Sequence, residues 1–216
     1  MNITIREPGS AITHYIAMML ALIAATPLLV KASKSGNLLI IFSLSVFILS
    51  MILLYGASTL YHSVTVSAKA LTVFQKIDHM MIFVLIAGSY TPVCLIVLKD
   101  NKGYLLLSIV WALALAGFCM NIFWIHCPKW VSSLVYIAMG WVCVGVFTPL
   151  RELLSRPAFL WLLAGGIIYT IGGIIYAMKI PVFHNRFKYF GVHELFHLFV
   201  MAGSVCHFIF MYYYIA

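Results

Sequence analysis

Residues 38–61 read LLIIFSLSVFILSMILLYGASTLY, a run without one charged side chain. An α-helix rises about 1.5 Å per residue, so roughly 20 apolar residues cross the roughly 30 Å hydrocarbon core of a bilayer. This run is long enough to span. Breaking the rest of the chain at polar, Gly and Pro clusters gives further spans near 12–30, 78–98, 105–125, 131–149, 159–178 and 193–214. The connectors between them are too brief to hold a second domain. The expectation is an all-α membrane protein, a seven-transmembrane helix bundle in which residues 1–216 form one integral membrane domain.

Composition points the same way. Of 216 residues, 64% are hydrophobic and only 8% charged, far less charge than a soluble domain of this length carries. Residues 1–10 hold Arg6 and Glu7 and lack a short apolar core followed by a small-residue cleavage site, so no signal peptide is expected and the first span stays in place. Cys94, Cys119, Cys127, Cys143 and Cys206 are scattered without a C-x-x-C pair, which argues against both a disulfide framework and a thiolate metal site. The net charge of +8 is spread over short loops, a pattern suited to anionic lipid headgroups and not to nucleic acid. Membrane lipids are the expected partners; no nucleic acid and no soluble protein partner are expected.

Pro27, Pro92 and Pro149 lie within or at the ends of spans, where they predict kinks. Gly165, Gly166, Gly172 and Gly173 form two pairs seven residues apart, which return nearly to one helix face and predict close approach of a neighbouring helix. Charge does not orient the bundle. Seven basic residues (Arg6, Lys69, Lys76, Lys129, Lys179, Arg186, Lys188) share the N-terminal side, and six (Lys31, Lys34, Lys99, Lys102, Arg151, Arg156) face the other.

Ionisable side chains within apolar helices are costly and commonly functional, so the few that interrupt the spans carry the information. The last span opens His193-Glu194-Leu195-Phe196-His197, whose spacing of four puts two imidazoles one turn apart on one face, with Ser204 continuing that face inward. The second span ends with Ser58 and His62, again one turn apart. The third span begins near Asp78, one of five acidic residues in the chain, with Ser89 on roughly the same face. Asp78 is expected at the mouth of that helix, in need of a cationic or hydrogen-bonded partner. With seven spans, all three segments end on the N-terminal side of the membrane. Three neutral imidazoles with an open fourth position suit a catalytic zinc site, and a nearby carboxylate can orient or deprotonate water. His62, His193 and His197 are therefore the predicted metal ligands. His14, His79, His126, His184 and His207 are read as interfacial or hydrogen-bonded, because they fall in loops or lack a partner one turn away. Glu194 completes a formal H-E-x-x-H, but no later segment offers the third ligand a metalloprotease would need, so it is assigned a supporting or headgroup-facing place.

Ser58-x-x-x-His62, Asp78 and His193-x-x-x-His197, set in seven spans, resemble the hemolysin III branch of the progestin and adiponectin receptor (PAQR) family. Arg6-Glu7-Pro8-Gly9-Ser10 and Gly88-Ser89-Tyr90-Thr91-Pro92 carry the same likeness, which covers nearly the whole chain. The resemblance implies a multi-pass cell-membrane protein with a cytoplasmic N-terminus and a zinc held by His62, His193 and His197 near the cytoplasmic face. It also implies an aspartate, here Asp78, acting through a water. The wider superfamily includes alkaline ceramidases, and that similarity implies that Ser58 stabilises an oxyanion during attack on a lipid amide. Two functions follow as expectations, a zinc-dependent hydrolase of lipid amide bonds or a factor in membrane-lipid homeostasis. The alternatives are a non-enzymatic membrane-state sensor or receptor-like protein with structural zinc, and a cytolytic pore-former. Seven apolar spans without a polar channel stripe speak against the last.

Overall fold

The first four helices begin where the sequence supplies a cap or a proline for the first turn. α1 (Pro8–Ser33) starts on a proline, whose missing N–H costs nothing at that position. α2 (Leu38–Ser63) is capped by the Asn37 side chain, which accepts from the Leu39 N–H at 2.9 Å. α3 (Ala68–Pro92) is capped by Ser67, and α4 (Asn101–Phe123) by Asp100, which accepts from the Gly103 N–H at 2.8 Å. α5 (Lys129–Gly140), α6 (Phe147–Leu153), α7 (Arg156–Met178) and α8 (Val192–Phe210) follow. A computed structural model describes residues 5–124, 127–178 and 189–216 of this chain.

Short irregular turns join or extend these helices. A π-helical segment, Val93–Leu98, prolongs α3 just past Pro92, and Lys99 ends it in the left-handed conformation. A 3-10 segment, Val142–Val146, joins α5 to α6, and a second π segment, Met211–Ile215, prolongs α8. With α5 and α6 counted as one passage, seven stretches among the described residues are long and apolar enough to cross a membrane. The all-α, seven-span expectation holds. Two of the three prolines sit beside departures from regular α-helix: Pro92 before the π segment, and Pro149 in α6 shortly after the 3-10 segment.

Two of the boundaries that differ from the reading of the sequence bear on the site. α1 begins at Pro8 rather than near residue 12, and α3 begins at Ala68 rather than near 78. Lys69, Thr72, Gln75 and Lys76 make residues 68–77 too polar to register as a span, yet Ser67 caps them and they are helical. Asp78 therefore lies nearly three turns inside α3, not at its mouth.

The helices close a ring: α1 packs on α2, α2 on α3, α3 on α5, α5 on α7, α7 on α8 and α8 on α1, with α4 packed against α3. The span containing α3 is the most buried of the seven. Leu20, Ile23, Leu49, Leu53, Leu105 and Leu115 are exposed on the outside, where a bilayer is the solvent that welcomes them. The glycine pairs divide between neighbours. A Cβ on Gly172 would lie 2.5 Å from the Cβ of Phe199 in α8, and one on Gly173 would lie 3.1 Å from Ile137 in α5, whereas Gly166 has nothing within 4 Å. All five cysteines are free thiols.

Candidate metal centre

The site begins with an unfinished helix end. The last carbonyls of any α-helix lack partners within it, and residues preceding α1 supply them to α2. Arg6 donates from Nη2 to the Tyr61 carbonyl at 2.8 Å, the Glu7 N–H donates to the His62 carbonyl at 3.0 Å, and the Arg6 guanidinium lies over the Tyr61 ring. This arm carries the Glu7 carboxylate onto His62, where it accepts a hydrogen bond from Nδ1. A second link ties α1 to α8: Ser10 donates to the Glu194 carboxylate, which also accepts from the Gly191 N–H at 2.8 Å and so fixes the first turn of α8. Glu194 thus supports the helix start and the α1 contact.

These links bring His62 from α2 together with His193 and His197 from α8. One nitrogen from each ring lies within 4.8 Å of the others. His62 and His197 are each only 2% exposed. The Nε2 atoms of His62 and His193 are 3.2 Å apart, close to the separation of about 3.3 Å expected for two nitrogens bound tetrahedrally to one zinc at roughly 2.0–2.1 Å.

Hydrogen bonding fixes which nitrogens face the centre. The Thr13 hydroxyl sends its hydrogen toward the Gly9 and Ser10 carbonyls, at 3.1 and 2.9 Å, so its oxygen accepts from Nδ1–H of His197 at 3.0 Å. The Glu7 carboxylate can only accept, so Nδ1 of His62 carries its proton. Both rings are left with a lone pair on Nε2, the tautomer a metal ligand needs, oriented by an outer carboxylate or hydroxyl as metal-binding histidines commonly are. His193 Nδ1 is buried without a partner. The donor set fits a borderline-soft divalent cation.

Asp78 and Ser58 approach the same place from α3 and α2. Both are buried, and Ser58 lies in interaction range of the Asp78 carboxyl. Ser58 Oγ itself makes no hydrogen bond, and Asp78 makes no ion pair among the described residues. Neither belongs to the ligand cluster. They share with His193 and His197 the wall of a cavity of about 650 Å³ that extends along the inside of the ring between α3, α5, α7 and α8. Its lining is mostly apolar, and Ser89 and His79 also face it.

Four participants escaped the sequence reading: Glu7, Ser10, Thr13 and His14. His14 is 3% exposed and stacks on His197 with ring centroids 3.5 Å apart, and neither of its ring nitrogens has a hydrogen-bond partner. The signal was present: Ser10, Thr13 and His14 stand three and four residues apart, which places them on one helix face once α1 is known to start at Pro8. His207 also departs from the expectation, being buried with both ring nitrogens unpaired. His126 and His184 lie outside the described residues.

The fold and the cluster together define a multi-pass membrane protein whose helix ring holds three imidazoles able to bind a metal ion. A model of the haemolysin-III related family matches residues 3–208. The chain is 41% identical over 206 residues to the hemolysin-3 homolog of Bacillus subtilis, an alignment spanning 95% of this chain and 92% of that one. It is 38% identical over 209 residues to hemolysin-3 of Bacillus cereus, spanning 97% and 91%. A more distant likeness, 29% over 140 residues, joins it to the ADIPOR-like receptor IZH2 of Saccharomyces cerevisiae, spanning 62% of this chain and 39% of the yeast one. The chain belongs to the haemolysin III family.

Proposed function

We propose that His62, His193 and His197 hold a zinc ion and that the protein hydrolyses an amide bond of a membrane lipid whose acyl chain lies in the cavity. The observation that carries this reading is the meeting of three imidazoles, two buried and one half-buried, beside a mostly apolar chamber whose wall holds His193, His197, Asp78 and Ser58. A zinc ion bound there would supply a Lewis acid that polarises a carbonyl and acidifies a water. Asp78 is the general base, receiving the proton of the attacking water and passing it to the leaving amine. Ser58, whose hydroxyl is unused within the protein, donates to the carbonyl oxygen as negative charge grows there. Glu7 and Thr13 hold His62 and His197 in register, and the apolar walls bind the chain and exclude bulk water. By likeness to the family, the protein resides in the cell membrane with its N-terminus cytoplasmic and acts in membrane-lipid homeostasis.

Elemental analysis of detergent-purified protein is the first test. About one zinc per chain is expected, and its loss in both His62→Ala and His197→Ala in folded protein. Wild type that stays metal-free after zinc supplementation would sink the reading. Asp78→Asn is expected to keep its zinc and lose ceramide hydrolysis.

A second reading is favoured by the way the cluster ties α2 to α8 through α1: zinc as a clamp in a protein that reports membrane state without turnover. Under it, wild type releases no fatty acid from ceramides, and zinc removal changes the bundle's thermal stability.

A further inference from the structure

Every turn of α7 contributes to the cavity wall, from Tyr176, whose ring centroid lies 5.5 Å from that of His193, to Phe159. At roughly 3.6 residues per turn, the lining residues Phe159, Leu162, Leu163, Tyr169, Thr170 and Gly173 all fall within about 60° of Gly166, which also lines the cavity. The exposed Leu160, Ile167, Ile171 and Ile174 begin about 80° away on one flank, and Gly165 and Gly172, which meet α8, lie about 100–120° away on the other. Gly166 therefore stands at the middle of the face that α7 turns to the chamber.

It is also the one glycine of α7 that no neighbour needs. A Cβ on Gly165, Gly172 or Gly173 would meet His207, Phe199 or Ile137, the last at 3.1 Å, whereas one on Gly166 would meet no atom within 4 Å. Glycine is disfavoured inside a helix, and helix packing accounts for the other three but not for this one. Gly166 is ten residues from Tyr176 along α7, an advance of roughly 15 Å, the reach of about a dozen methylene groups in an extended chain. Phe159, about 10 Å further along, meets the Phe147 ring edge to face on the same wall, with centroids 5.0 Å apart.

We propose that Gly166 gauges the acyl chain: its missing side chain lets the cavity take chains longer than about twelve carbons, and a larger residue there would restrict it to shorter ones. The inference rests on the reading that the cavity holds an acyl chain with its head at the three histidines. Each buried methylene strengthens binding about threefold to fourfold. Filling the space at Gly166 should therefore weaken long chains steeply and leave short ones untouched.

Displacement of radiolabelled capric acid, whose chain stops short of Gly166, from the detergent-purified full chain by lauric, palmitic and stearic acids tests it. Each affinity is taken as the ratio of variant to wild type, so that partitioning of the acid into detergent cancels. Capric acid is expected to bind Gly166→Phe and wild type within about twofold, while palmitic and stearic acids bind the variant at least about tenfold more weakly. Gly166→Ala, a smaller step that guards against a misfolded phenylalanine variant, should show the same trend to a lesser degree. Ile167→Phe, an enlargement on the exposed flank, should leave every ratio unchanged. Long acids bound by both Gly166 variants as tightly as by wild type overturn the gauge, as does a loss that is the same at every chain length. If wild type binds none of the acids, the acyl-chain reading itself falls and the gauge falls with it.

Discussion

Glu7 and Thr13 orient the histidine cluster without belonging to it. Each accepts the Nδ1 proton of one histidine of the cluster and thereby fixes its tautomer. Removing such an outer partner typically costs 10–100-fold in metal affinity. Glu7→Ala is therefore expected to weaken zinc binding roughly 10–100-fold in a chelator-competition titration, with one zinc per chain still reached at saturation. Thr13→Val should weaken it by less, because a neutral acceptor is lost rather than a charged one. Unchanged affinity in both would mean that the hydrogen bonds do not orient the ligands. The three histidines of the cluster were legible because His193-x-x-x-His197 carries its spacing in the sequence and His62 ends a span on the same side of the membrane. Glu7 was not, because its approach to His62 depends on how the segment before α1 folds over the end of α2, a contact spanning 55 residues that no local pattern encodes.

Among the elements, α7 and α8 make the closest approach that the glycine pattern foretold, but not all four glycines take part. A methyl group at position 172 would sit 2.5 Å from Phe199 Cβ and 3.2 Å from its Cγ, and backbone must move to admit it. Overpacking of this kind costs about 1–3 kcal/mol. Gly172→Ala is accordingly expected to lower the melting temperature in detergent, whereas Gly166→Ala, with open space around it, should leave it unchanged or slightly raised. Equal melting of the two variants would show that the α7–α8 contact tolerates widening. Period and hydropathy exposed the spans, because apolar length is the one property a bilayer enforces everywhere. The first ten residues of α3 stayed hidden for the complementary reason: they are helical by virtue of a serine cap, yet too polar to register as a span.

At the scale of the whole molecule, the number of passages fixes where the two ends lie. Seven spans among the described residues place the N-terminal arm and the end of the last span on opposite faces of the membrane. Reporter tags joined before residue 1 and after residue 216 are expected to be accessible from opposite sides of sealed vesicles, the former from the cytoplasmic side. Accessibility of both from one side would remove one of the seven passages. The ring closure of α1 against α8 could not be read in advance, since the basic residues divide almost evenly between the two faces and hydropathy does not say which helices are neighbours.

The Arg6–Glu7 arm also sets an order in time. His62 and its carboxylate partner are 55 residues apart, but Thr13 and His197 are separated by 184, so the two halves of the centre leave the ribosome far apart. During synthesis, α1 and α2 can dock and fix His62 while α8 is still unmade. Any metal capture by the three histidines would then wait for α8, so an ion held there would report that α8 has docked against α1 and α2.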